Sequence, residues 1–135
     1  MKNEIDSMFG VGEYNAAYQQ YFSKKSFLNP LIAFPNSDDL SIVNVTFDKG
    51  SYNAYHIHSN HQILICTDGE GWYQEFGKKA VKLHRGDVVD IKPGIKHWHG
   101  ASKDSSFAHI AIAINSKTSH TEWCEMISEK EYLSL

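Results

Sequence analysis

The chain has 135 residues and a formal charge of −3 at neutral pH, with 13 basic side chains against 16 acidic ones. That length suits a single domain with a real core, and the charge balance leaves no basic stripe to draw the protein to nucleic acid or to anionic lipid. No apolar run approaches the roughly 20 residues of a membrane span, and the stretch from Met1 to Asp6 holds acids where a secretory leader has basic and apolar residues, so a cytoplasmic location is expected.

In chain order, residues 1–36 read as an N-terminal segment. Tyr14, Ala17, Tyr18 and Tyr21 recur at i, i+3, i+4 and i+7, which predicts a short amphipathic helix, with an edge strand after it. Residues 37–117 read as the main domain. From Leu40 the period is two: Ile42, Asn44 and Thr46 alternate with Val43, Val45 and Phe47 until Asp48-Lys49-Gly50. Further strands are predicted over 52–58, 62–67, 71–76, 79–83, 88–92, 97–100 and 107–115, separated by turn signals at 67–71, 76–78, 84–87 and Pro93-Gly94. Many short strands without intervening helical patterns argue for an all-β sandwich or barrel. Residues 118–135 read as a tail, amphipathic enough over 121–132 for a brief terminal helix. Cys66 and Cys124 are far apart, form no CxxC pair, and are expected as free thiols.

The chemistry concentrates in the histidines. On a strand, alternate side chains share a face, so His56 and His58 project together. A short reversal at Ser59-Asn60-His61 would bring the Gln62 amide beside them. A second pair with the same alternation, His97 and His99, follows the Pro93-Gly94 turn. Any one histidine could simply be solvated, but two His-x-His pairs beside glycine-marked turns favour a shared ion, since borderline metals want several imidazoles converging. In the last strand His109 shares its face with Ala111 and Ala113, which leaves room for a pocket. Val43 and Val45 offer an apolar wall, and Gln62, Leu64 and Cys66 are expected to face the interior, with Ile63 and Ile65 outside. His61, His84 and His120 read as solvated.

These spacings resemble the cupins. The first cupin motif runs glycine, five residues, His-x-His, three or four residues, glutamate, six residues, glycine; Gly50, His56, His58, Gln62 and Gly69 reproduce every interval, with glutamine in place of the acid. The second motif, Gly-x5-Pro-x-Gly-x2-His-x3-Asn, is kept in spacing by Gly86, Pro93-Gly94 and His97, with Lys92 and Ala101 as departures. The resemblance extends over residues 37–117 as a cupin domain and implies a jelly-roll β-barrel with short N- and C-terminal helices. It implies His56, His58, Gln62 and His97 as ligands of one divalent transition metal, manganese first, with iron, nickel or zinc as alternatives. The stretches around 62–78, 86–101 and 122–132 are similar to single-domain cupins that include manganese-dependent hydroxynitrile lyases, which cleave or form cyanohydrins and also carry glutamine at the fourth ligand position.

A neutral amide in place of a carboxylate leaves a divalent ion its full formal charge, which favours an anionic partner such as cyanide or an alkoxide. The need for a base near the hydroxyl points to His109 or His99 as the proton carrier, and the resemblance to the lyases supports both as pocket residues; the alternative for His109 is a core histidine hydrogen-bonded to backbone. The alternation places Val43, Val45, Cys66, Ala111 and Ala113 in a pocket for a small-molecule substrate. Two other readings stay open: a binding or sensing cupin without turnover, and a metal-dependent dioxygenase. Cupin barrels leave sheet edges and apolar outer faces that dimerisation often covers, so a homodimer is expected, with the N-terminal tyrosines contributing.

Overall fold

Among the described residues ten strands, one 3-10 turn and one short α-helix build the fold, and every strand pairing is antiparallel. The computed structural model describes residues 5–32 and 39–135; the expected boundary between residues 36 and 37 lies outside them. The strands are β1 (Glu13–Tyr14), β2 (Ser26–Pro30), β3 (Leu40–Phe47), β4 (His56–His58), β5 (Gln62–Glu75), β6 (Val81–His84), β7 (Val88–Ile91), β8 (His97–Ala101), β9 (Phe107–Ile114) and β10 (Thr121–Trp123). They run in the spatial order β1-β2-β3-β9-β5-β8-β4-β10, with β6 and β7 also on β5. The all-β expectation holds, as a curled antiparallel jelly roll.

The curl comes from β5. Gln62–Ile65 pair with β7 on one side while residues from Gln62 to Gly69 pair with β9. Gly71–Glu75 then pair with β8, and Glu70–Tyr73 with β6. One strand thus serves both walls. The sequence predicts a turn at 67–71, between two strands; the structure instead carries one strand through it, with a register shift between Cys66 and Asp68 and Gly69 at φ 72°. A bulge with a left-handed glycine bends a strand without ending it.

Two aromatic and aliphatic clusters hold the walls together. The larger joins Phe47, Leu64, Cys66, Tyr73, Leu83, Ile91 and Phe107. The smaller packs Tyr52, Tyr55 and Trp98 against Ile127 and Tyr132 of the C-terminal tail. There the Tyr132 hydroxyl donates to Ala101 O at 2.6 Å, the Tyr52 hydroxyl donates to Ile127 O at 3.1 Å, and the two rings stack at 4.3 Å.

Both expected terminal helices are shorter than the periodicity suggests. In the tail only Glu129–Leu133 is helical (α1), capped by Ser128 Oγ accepting from Glu131 N–H at 3.0 Å. Thr121–Trp123 forms β10 against β4. At the N-terminus the tyrosine stripe yields a single 3-10 turn, Gln19–Tyr21. Buried Asn15 binds Ser26 through both backbone and side chain, at 2.9 and 3.2 Å, which holds the chain extended where a helix would have begun. The rings still pack, but on different partners: Tyr14 on Phe27, Tyr18 and Tyr21 on Trp123. Over 52–58 only His56–His58 form a regular strand, the residues before them making isolated bridges.

On the outer face of the β3-β9-β5-β7 wall, register brings Leu40 to Ile114, Ile42 to Ile112, Ile112 to Ile63, and Ile65 to Val88. Leu40, Ile114 and Val88 are exposed there. Asn44 and Thr46, on the same face, are buried by the N-terminal segment: Ser7 Oγ donates to Asn44 Oδ1 at 2.9 Å and Asn44 Nδ2 to Gly10 O at 3.0 Å.

Gly100, in β8, lies so close to the preceding segment that a Cβ would run into Tyr52 Cα and Ser51 O, both rigid. Gly100→Ala is expected to cost about 1–3 kcal/mol, as overpacking does; a urea midpoint equal to that of the unsubstituted protein would contradict this.

Candidate metal centre

His56 and His97 face each other as a direct cross-strand pair between β4 and β8. His99 lies two residues along β8, on the same face. The ring centroids of His56 and His97 are 4.3 Å apart, and that of His99 is 5.5 Å from His56 and 5.8 Å from His97. Each of the three buried rings offers a nitrogen within 4.8 Å of the others, a spacing at which they could hold one divalent ion.

The backbone sets the tautomers. His56 Nδ1 lies 2.8 Å from Ala54 O and His97 Nδ1 lies 2.9 Å from Ile95 O, the same two-residue step back in both strands. A carbonyl can only accept, so Nδ1 carries the proton in each ring and Nε2 is left as a lone pair. His97 Nε2 is buried with no hydrogen-bond partner, and so is Gln62 Oε1. Buried acceptors without donors are uncommon, and a cation fits them. The donors are all uncharged, which suits a divalent transition metal through imidazole nitrogen.

His58 sits beside this group, its ring 4.9 Å from His56 and 5.5 Å from His97, with Nδ1 3.0 Å from Thr121 Oγ1. Gln62 touches His58 and lines the same cavity. Of the four ligands implied by the motif, His56 and His97 therefore stand inside the compact group, and His58 and Gln62 stand at its open side. His99, expected as a proton carrier, is inside the group. Its Nδ1 lies 3.2 Å from Nε2 of His109, the second proton-carrier candidate, which is fully buried between Phe47 and Phe107.

The group opens into a cavity of about 440 Å³. Val45 and Ala111 line its apolar side as the alternation implies, with Leu28 from β2. Ala113 lines an adjoining opening, shared with His58 and Gln62. Val43 lies on the face of Val45 but outside both linings, and Cys66 corrects the expected pocket set outright: it packs in the core with Phe47 and Leu64, 2% exposed. Leu64, on the same face of β5, is likewise fully buried in that core, so of the three alternating residues only Gln62 reaches the cavity. Burial pushes the Cys66 thiol up to about 12, which makes it unreactive at neutral pH.

The opposite wall is aromatic: Tyr18, which the sequence marks only as part of a helical stripe, with Phe22 and Trp123, which it does not mark at all. Trp123 was hidden by the helical reading of 121–132; its readable signal was a Thr-Glu-Trp alternation suited to a short strand. His120, expected to be merely solvated, lines both openings. His61 and His84 lie at the surface, paired with Asp90 and Asp87. No Asp, Glu, Lys or Arg is among the described residues lining the cavity.

Residues 43–113 match the Cupin domain family. The chain belongs to the cupins. Over 105 residues it is 36% identical to the (R)-mandelonitrile lyase of Granulicella tundricola, covering 78% of this chain and 80% of that one. It is 21% identical to the acireductone dioxygenase of Bacillus pumilus over 86% of this chain and 64% of that protein. A cupin-like protein from Thermotoga maritima superposes with a TM-score of 0.85 at 35% identity, over 96% of each chain. No helix among the described residues is long and apolar enough to cross a membrane.

Burial disfavours the charged form of every histidine in this cupin's interior. It lowers His97 and His109 to about 4, and lowers His56 and His99 well below the ordinary value, in His56 with added repulsion from His97 and in His99 with added repulsion from His109. In the unfolded chain these groups titrate near 6.5. As pH falls the unfolded state therefore takes up protons first, so the stability carried by the neutral rings is complete above about pH 6.5 and lost on the way to pH 4, at about 1.4 kcal/mol per pH unit for each ring involved. Urea midpoints of the chelator-treated protein are expected to be level from pH 8 to 7 and to fall steeply from 6.5 to 4.5; level midpoints down to 4.5 would contradict the buried neutral cluster.

Proposed function

We propose that this cupin is a metal-dependent lyase of the hydroxynitrile type, cleaving or forming a cyanohydrin in the cavity beside His56, His97 and His99. The observation that carries the reading is the pairing of an uncharged donor set with an uncharged cavity. In such a site a bound cation is the only fixed countercharge for a departing anion. The 36% identity with a mandelonitrile lyase supports the choice of reaction.

His56, His58, Gln62 and His97 would hold the ion, manganese being the first candidate, with His97 Nε2 and Gln62 Oε1 gaining the partner they otherwise lack. The ion, when bound, supplies a Lewis acid. The chain's own residues handle the proton. His99 and His109, 3.2 Å apart and neutral at rest, can accept the hydroxyl proton as the carbonyl forms and share it across their contact. Burial keeps that extra charge unfavourable, so the pair readily returns the proton to the leaving cyanide. Val45, Ala111 and Leu28 keep water from the reacting carbon.

Benzaldehyde release from mandelonitrile is expected to track metal content, to disappear on chelation, and to fall at least about 100-fold in His109→Ala, the scale of a lost proton carrier. Undiminished release from fully metal-free protein would reject the reading. The similarity to an acireductone dioxygenase favours one rival, an oxygenase, for which consumption of dissolved oxygen with substrate would be the signature. A tightly retained organic acid with no turnover would instead indicate a binding cupin.

The homodimer belongs to the same proposal. It is supported by the aliphatic outer face running through Ile42, Ile112, Ile63 and Ile65, with Leu40, Ile114 and Val88 exposed along it. Tyr18 and Tyr21, expected to contribute, pack on Trp123 of their own chain. Sedimentation at micromolar concentration is expected to give twice the 15.3 kDa chain mass, and a monomer would refute this.

A further inference from the structure

We infer that Trp123 selects an aryl group, forming with Tyr18 and Phe22 a ring-binding wall across the cavity from Val45 and Ala111. The inference deepens the lyase reading and rests on it for the kind of substrate, but it concerns binding alone.

Register places Trp123 directly opposite His56, in β10 against β4. The two ring centroids are 4.8 Å apart, so any group held on the indole lies next to the histidine cluster. The indole is also held from behind. Tyr21 stacks on it at 4.3 Å with the planes 2° apart, while Tyr18 and Phe22 reach it at 6.2 and 6.4 Å. With one indole face occupied by Tyr21 and neighbouring rings on its flanks, Trp123 cannot turn away without breaking the stack. It presents a fixed π surface to the cavity it lines.

The facing wall has a different character. In the β3–β9 register Ala111 pairs with Val43 and Val45 with His109, so Val45 and Ala111 are diagonal neighbours on one face, and their side chains offer only aliphatic carbon. A slot with a π surface on one side and small aliphatic groups on the other fits a planar ring edge-on or offset against the indole. An alkyl group of equal size would gain the burial without the ring–ring contact. The lining holds no fixed charge to bind a second polar end, so the ring contact is the main source of discrimination. A residue with only a packing role would affect stability and leave this preference unchanged.

The test is an NMR titration of the full-length, zinc-loaded protein with benzyl alcohol and with cyclohexylmethanol, which share a size and a hydroxyl but differ in the ring. Benzyl alcohol is expected to bind more tightly, to shift the Trp123 indole N–H resonance, and to show cross-relaxation between its ring protons and that indole. Trp123→Leu is expected to weaken benzyl alcohol about tenfold while leaving cyclohexylmethanol within about twofold, with Trp123→Phe between, on the scale of an aromatic pair. Equal affinities for the two alcohols in the unsubstituted protein, or no cross-relaxation to Trp123 at saturation, would overturn the inference even if Trp123→Leu failed to fold. Absence of mandelonitrile turnover would sink the lyase reading and leave this binding result to stand or fall by itself.

Discussion

The site depends on one constraint: imidazoles buried among strands must keep a lone pair pointing inward. Burial alone would leave each ring free to choose its tautomer. The carbonyls of Ala54 and Ile95 remove that freedom, since each takes the Nδ1 proton of the histidine two residues on. The β4–β8 register then sets the two residues directly opposite each other, with the ring centroids 4.3 Å apart. The geometry is thus built by the backbone, with side chains completing it. It has an energetic cost in the absence of a cation, because His97 Nε2 and Gln62 Oε1 are buried without donors.

Around that centre the two walls have different duties. The β3-β9-β5 wall supplies aliphatic carbon and His109, which meets His99 of β8 between the two walls and is backed by Phe47 and Phe107. The N-terminal segment and β10 supply the aromatic side. Neither of these belongs to the stretch that matches the family, residues 43–113. Cupins that share the histidines can therefore differ in the chain that closes the mouth, and it is there that one member's substrate preference can diverge from another's.

Much of this was readable in advance, and for clear reasons. Period-two alternation survives any tertiary arrangement, so the strands of β3, β8 and β9 and the shared faces of His56 with His58 and His97 with His99 follow from local pattern. What the pattern lacks is register and depth. Nothing local says that His56 meets His97, that His99 comes within ligating distance while His58 leans toward Thr121, or that Cys66 is buried in the core with Leu64. The misreadings have physical causes too. Gly69 looks like a turn residue because a left-handed glycine serves both turns and bulges. The tyrosine stripe looks helical because three aromatic side chains happen to fall at helical spacing, yet Asn15 is anchored to Ser26 and the rings reach separate partners.

The shared strand β5 has a mechanical consequence. Its first half is hydrogen-bonded into one wall and its second half into the other, with only the Gly69 bend between them. Neither wall can loosen without dragging on the backbone of its counterpart. The jelly roll is tied into one cooperative body by a covalent hinge rather than by side-chain packing alone, so disturbances at the cavity mouth are transmitted along continuous chain to the far side of the barrel.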